Sequence, residues 1–94
     1  MNLRKEACGR DCMIRLPGIC NHDPDTTVLA HVRLIGVSGM GMKSPDLLGA
    51  WACSACHDVV DRRVKTNIDI GEIRLAHLEG MVRTINQLVK EDKI

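Results

Sequence analysis

The stretch Ala52-Cys53-Ser54-Ala55-Cys56-His57-Asp58-Val59-Val60-Asp61 decides how the rest of the chain is read. Two thiols three residues apart can close on one metal ion across a tight turn, and tetrahedral zinc is the natural occupant. The residues that follow suit a helix, with Ser54 as its cap, Asp58 near its start, Arg62-Arg63 at its end and Asn67 as its breaker. On such a helix His57 and Asp61 project from one face a turn apart, an imidazole and a carboxylate suited to a divalent cation. Arg62 and Arg63 place positive charge where a phosphate would approach. Spacing alone would favour an ordinary exposed face for His57 and Asp61. What favours a site is that a metal at Cys53 and Cys56 would fix the start of this same helix.

Working outward, a second pair, Cys12 and Cys20, brackets Pro17-Gly18. Cys12-Met13-Ile14-Arg15 reads as a short strand entering that turn, so the two thiols would face each other across a bend. The four sulfurs Cys12, Cys20, Cys53 and Cys56 are the expected structural zinc ligands, and Cys8 is left over as a core or surface thiol or a substitute for Cys12. The composition supports a metal. The 94 residues hold five Cys, four His, five Met and one Trp but no Phe or Tyr, although 45% of them are hydrophobic. A chain this small without large aromatics needs support beyond packing, and zinc tying its halves together supplies it, so zinc removal should unfold it. An odd cysteine count, with no apolar leader after Met1-Asn2-Leu3-Arg4-Lys5-Glu6, argues against a disulfide framework and for a cytoplasmic location. Cys53-x-x-Cys56-His57 also matches a c-type haem attachment signature, but there is no export signal and no aromatic set to pack a macrocycle. A thioredoxin-like role lacks its βαβ flanks.

Elsewhere, Leu3 to Cys8 suits a short helix capped by Asn2 and stopped by Gly9. Thr27 to Leu34 reads as a strand carrying His31, and Leu47 to Ala52 as a strand returning beside it. Between them lies a glycine-rich loop over Gly36 to Pro45, read as a connector because Met42 spoils the phosphate-loop spacing. Asp69-x-x-Glu72 opens a long helix over 68–91, with Ile70, Ile73, His77, Leu78, Met81, Ile85, Leu88 and Val89 at helical spacing. Gly71 and Gly80 each weaken it by about 1 kcal/mol relative to Ala, so packing must hold it. The organisation expected is an N-terminal extension (1–11), a zinc-bound core (12–64) and this helix, with no apolar run long enough to span a membrane.

In order, Cys12, Cys20, Leu29-Ala30-His31-Val32, Pro45-Asp46-Leu47 and Cys53-x-x-Cys56-His57 resemble the HNH, or ββα-metal, nuclease pattern. The likeness is strongest to a phage and prophage group, the YbcO-like nucleases related to the RecA-dependent Ref nuclease, through Leu3-Arg4-Lys5, Arg10-x-Cys12, Arg15-x-Pro17-Gly18-x-Cys20, Leu29-Ala30-His31-x-Arg33-Leu34 and Ala52 to Asp58. The resemblance implies an α+β fold: a small zinc-stabilised ββα-metal domain with an additional C-terminal helix. It implies that His31 is general base, Asp46 fills the middle position, and His57 binds a catalytic divalent metal (Mg²⁺, Mn²⁺ or Zn²⁺), with Asp61 where some members carry a further ligand. Many HNH enzymes carry a ligand just before the base; here that place is Ala30.

The expected activity is metal-dependent cleavage of DNA by a phage or prophage endonuclease, in recombination or DNA processing. A neutral imidazole takes a proton from water, and the metal stabilises the transition state. Arg33, Arg62, Arg63 and Lys65 would steer the backbone with little sequence information. The partners implied are DNA and a RecA-like recombinase filament. The chain is expected as a monomer or a homodimer through its last helix, with no membrane partner. The competing reading is a zinc-stabilised module that binds nucleic acid or protein without turnover. His22 is expected in solvent and His77 on the apolar side of the last helix, both outside either site. Convergence of His31 and His57 on one cleft beside Asp46 or Asp61 favours the nuclease; enclosure of His31 by apolar side chains favours the module.

Overall fold

In a computed structural model, residues 2–33 and 45–94 are described, so most of the glycine-rich loop and the Leu34 end of the first expected strand lie outside the described residues. The elements are α1 (Leu3–Glu6), a single 3₁₀ turn (Pro24–Thr26), β1 (Val28–His31), β2 (Gly49–Ala52), α2 (Ser54–Val60) and α3 (Ile70–Lys90). This is a small α+β arrangement of a two-stranded sheet and three helices.

The strands pair antiparallel, with Val28 opposite Ala52 and His31 opposite Gly49. The return strand is shorter than the apolar run suggested, because Leu47 sits exposed in a turn before it. β2 is buried at all four positions. Its small residues let it lie close under α3. The buried Thr84 of α3 accepts a hydrogen bond from Trp51 N–H (3.0 Å) and donates its own hydroxyl to Gly80 C=O (2.8 Å).

Asp69 caps α3 by accepting from Gly71 N–H at 2.9 Å, as the sequence pattern predicts. Gly80 has a reason beyond tolerance. A Cβ there would lie 2.9 Å from Ile14 Cγ1, 3.1 Å from Met13 C=O and 3.2 Å from Ile14 Cα, so the glycine admits the 13–14 backbone against the helix.

That segment is not the strand expected over Cys12–Arg15. Met13 makes one backbone bond to β2, N–H to Trp51 C=O at 2.7 Å, and its own carbonyl accepts from Arg83 at 2.7 Å. Arg15 turns into left-handed backbone (φ 55°), and its N–H goes to Cys12 Sγ (3.4 Å) instead of a ladder partner. The turn at Pro17-Gly18 does form, closed by Ile19 and Cys20 N–H on Leu16 C=O at 3.1 and 3.0 Å.

Two apolar clusters result. The larger surrounds the cysteines with Ile14, Leu16, Ala30, Ala50, Ala52, Val59 and Ile73. The smaller joins Ala7, Trp51 and Leu88, bringing the N-terminal segment and the end of α3 together. Above it Arg10 stacks on the Trp51 ring (4.6 Å to its centroid), grips Glu91 through two 2.6 Å hydrogen bonds and reaches Glu6 at 3.1 Å.

Candidate metal centre and nuclease cleft

The sulfur cluster is built from three pieces of chain: the turn after Met13, the Pro17-Gly18 bend and the start of α2. Cys53, not Ser54, is the N-cap of α2, because its sulfur accepts the Cys56 N–H at 3.4 Å. The thiols of Cys12, Cys20, Cys53 and Cys56 lie within 4.8 Å of one another, and Cys20 and Cys53 are 3.8 Å apart. Zn–S bonds of about 2.3 Å in a tetrahedron separate the sulfurs by roughly 3.8 Å, so the four fit an ion such as zinc. The hydrogen bond from Cys56, then the Arg15 N–H, pushes the Cys12 thiol down to about 4, while Cys56 is driven up by sharing that proton. Four thiolates this close can ionise together only around a cation. Cys8 is exposed and outside the cluster, so it does not replace Cys12. His22, exposed as expected, sets its Nδ1 3.7 Å from Cys20 Sγ at the rim.

The second set lies where β1 ends beside α2. His31 Nε2 is 2.7 Å from Asp46 Oδ1, and Arg4 Nε contacts the same oxygen at 3.3 Å. The His31 bond, then Arg4, holds the Asp46 carboxyl below its ordinary range. An ionised carboxylate only accepts, so His31 Nε2 carries the hydrogen and, in the neutral ring, Nδ1 keeps a lone pair.

His57 Nε2 and Asp61 Oδ2 are 3.1 Å apart, a turn apart on α2 as predicted. Ligand atoms about 2.1 Å from one ion and at right angles lie roughly 3.0 Å apart, so this pair fits adjacent coordination positions of a divalent cation. The helix ends sooner than expected: Asp61 is its C-cap and Arg62 leaves it in left-handed backbone (φ 60°). Arg63 swings back to within 3.7 Å of Asp61.

His31, His57 and Asp61 line one cleft of about 350 Å³ with Arg4, Arg33 and Arg63. His31 and Asp61 also border a larger cleft of about 660 Å³, together with Arg33, Arg62, Arg74 and His77. Lys65 lines neither. Sequence reasoning missed Arg4, Arg74 and His77. The first two carry no local signal, since Arg4 reaches Asp46 only because α1 docks 42 residues away in sequence. His77 had one, a polar residue on an otherwise buried stripe: its Nε2 donates to Ala30 C=O at 2.9 Å, and burial lowers its basicity.

The profile of the family described as "Putative nuclease YbcO" matches residues 1–93. The chain belongs to the YbcO family. "Putative nuclease YbcO" from Escherichia coli K12 is 52% identical to it over 93 residues, covering 99% of this chain and 96% of that one. A protein of the same description from Enterobacteria phage 82 matches to the same extent. Among solved structures, "Structure of a putative bacteriophage protein from Escherichia coli str. K-12 substr. MG1655" superposes with a TM-score of 0.81 at 46% identity, covering 97% of this chain and all of that one. No helix among the described residues is long and apolar enough to cross a membrane. For a YbcO family member the clefts, with their imidazoles and guanidinium groups, are the chemically equipped surface.

Proposed function

We propose that the chain is a metal-dependent DNA endonuclease of the HNH type, acting in phage DNA processing or recombination in the cytoplasm. The observation that carries this reading is that His31 and His57 line one cleft with Asp61. His31 is the general base: Asp46 fixes its tautomer through Nε2, leaving Nδ1 to take a proton from the attacking water. Asp46 and, behind it, Arg4 are positioning residues. His57 and Asp61 hold the divalent ion, which when bound supplies positive charge at the leaving oxygen. Arg33, Arg62 and Arg63 draw the phosphate backbone to the clefts, and Lys65 adds charge nearby. Backbone contacts of this kind carry little sequence information, so cleavage is expected to have weak sequence preference. A RecA-like filament is a partner through which such an enzyme would be directed to its DNA.

The test is nicking of supercoiled plasmid by the zinc-loaded protein with added Mg²⁺, Mn²⁺ or Zn²⁺. His31→Ala is expected to slow nicking about 10²- to 10⁴-fold with an unchanged melt and zinc content. Cleavage at full rate by that variant overturns the mechanism. If the parent protein binds DNA but never nicks it under any of the three metals, the zinc-stabilised binding module is the correct reading.

A further inference from the structure

The side of α3 turned away from the body is apolar. Ile73, Gly80, Thr84 and Leu88 are the buried side. Opposite them stand Leu75, Leu78, Val82 and Val89, which are 58%, 37%, 61% and 53% exposed. Leu75, Val82 and Val89 recur every seven residues, with Leu78 and the half-buried Ile85 at the second apolar position of the heptad. A helix that only covers a core needs one apolar stripe; this one has two, the second about 21 Å long.

The charges beside the outer stripe say what covers it. On one flank, Glu72 and Glu79 occupy the first half of the helix and Arg83 and Lys90 the second. In an antiparallel pair related by a two-fold axis, each flank meets its own copy reversed, so the acidic half of one helix lies along the basic half of the other. Glu72 with Lys90 and Glu79 with Arg83 are both centred on position 81. Leu75 with Val89 is centred on 82, and Leu78 with Ile85 falls between. A single axis there satisfies both ion pairs and the apolar contacts together. A parallel pair would set this flank against one carrying Arg74 and the half-buried Met81, leaving Arg83 and Lys90 without acidic partners.

We propose that the outer face of α3 is a self-association surface on which a second copy of this chain docks antiparallel, making a two-fold dimer. The proposal does not rest on the nuclease reading, although Leu78 also borders the larger cleft, so the second copy would sit beside that cleft.

Sedimentation velocity of the zinc-loaded full chain over a concentration series tests it. The parent is expected to reach the mass of two chains. Val82→Glu puts two glutamates beside the axis and is expected to raise the dissociation constant at least ~100-fold, with melt and zinc content kept because Val82 is exposed. Glu72→Lys with Glu79→Lys, and Arg83→Glu with Lys90→Glu, are each expected to be monomeric, and their equimolar mixture to regain the dimer. Arg83 also donates to Met13 C=O, so if the second pair lowers the melt, Lys90→Glu alone takes its place. A parent that stays monomeric at every concentration overturns the proposal, as does a Val82→Glu dimer of parental affinity. A mixture that remains monomeric overturns the antiparallel pairing.

Discussion

The sulfur cluster and the imidazole cleft both depend on α2, yet they are built in opposite ways. At the start of the helix, Cys53 and Cys56 meet Cys12 and Cys20 from two other segments, and three of the four are buried. One turn later His57 and Asp61 come from α2 alone, and among the described residues no third ligand closes on them. A full set of four protein ligands leaves no position for solvent and can only hold chain together. A two-ligand pair in an open cleft leaves positions for water and a phosphate oxygen. The contrast separates a site whose metal would hold the fold together from one whose metal would do chemistry, and each can be altered without touching the ligands of the other.

The largest effect falls on the sulfur side. A structural zinc contributes about 10–16 kcal/mol of apparent binding energy, as much as or more than the ~5–15 kcal/mol by which a domain is stable. Chelation, or Cys56→Ser, is expected to abolish the cooperative thermal transition seen by circular dichroism. A chelated sample that melts like the parent would show that packing alone suffices and collapse the contrast. On the cleft side the effect should be kinetic. Asp46→Asn keeps an acceptor for His31 Nε2 but removes the charge, so nicking is expected to fall about 10- to 100-fold in kcat with KM and melt unchanged. A shift in KM alone would make Asp46 a DNA contact and not an orienting group.

Local patterns made one region legible and left the other half hidden. The spacing within each cysteine pair, the cap at Asp69 and the His57–Asp61 pair span a few residues, and β1 and β2 are marked by their own apolar runs; the structure has each of them. Sequence reading failed where a residue's partner is distant. Cys12–Arg15 looked like a strand because it is a short apolar run entering the Pro17-Gly18 turn, but its N–H groups are taken by a sulfur and by one β2 carbonyl. Ser54 looked like the helix cap because hydroxyls usually are; the sulfur of Cys53 takes that place. Arg4, Arg74 and His77 reach the clefts through docking of α1 and α3, which no short window contains.

Gly80 shows the same limit and offers a smaller test of the sulfur side. By helix propensity alone Gly80→Ala should stabilise α3 by about 1 kcal/mol. The new methyl would press on backbone atoms of Met13 and Ile14, which cannot swing away as a side-chain end could. Overpacking of this kind costs about 1–3 kcal/mol, so a net loss of up to ~2 kcal/mol is expected in denaturant titration. A stabilised variant would mean that the Cys12 turn yields easily.

The smallest effect concerns the clasp far from both sites. Arg10, then Gln87, holds the Glu91 carboxyl down to about 2. Lowered in the fold, it contributes stability that is complete above the unfolded carboxylate value of about 4.3 and is lost as pH falls through its folded value. Glu91→Gln is therefore expected to melt below the parent at pH 7, with the same gap down to about pH 5. Below that the gap should narrow, for as long as the parent still melts cooperatively. Acid loss of zinc affects both proteins alike and cancels in the difference. The absence of a gap at pH 7 would mean that Glu91 behaves as a free carboxylate, and that Trp51 and Leu88, not the ion pair, hold the end of α3 to the N-terminal segment.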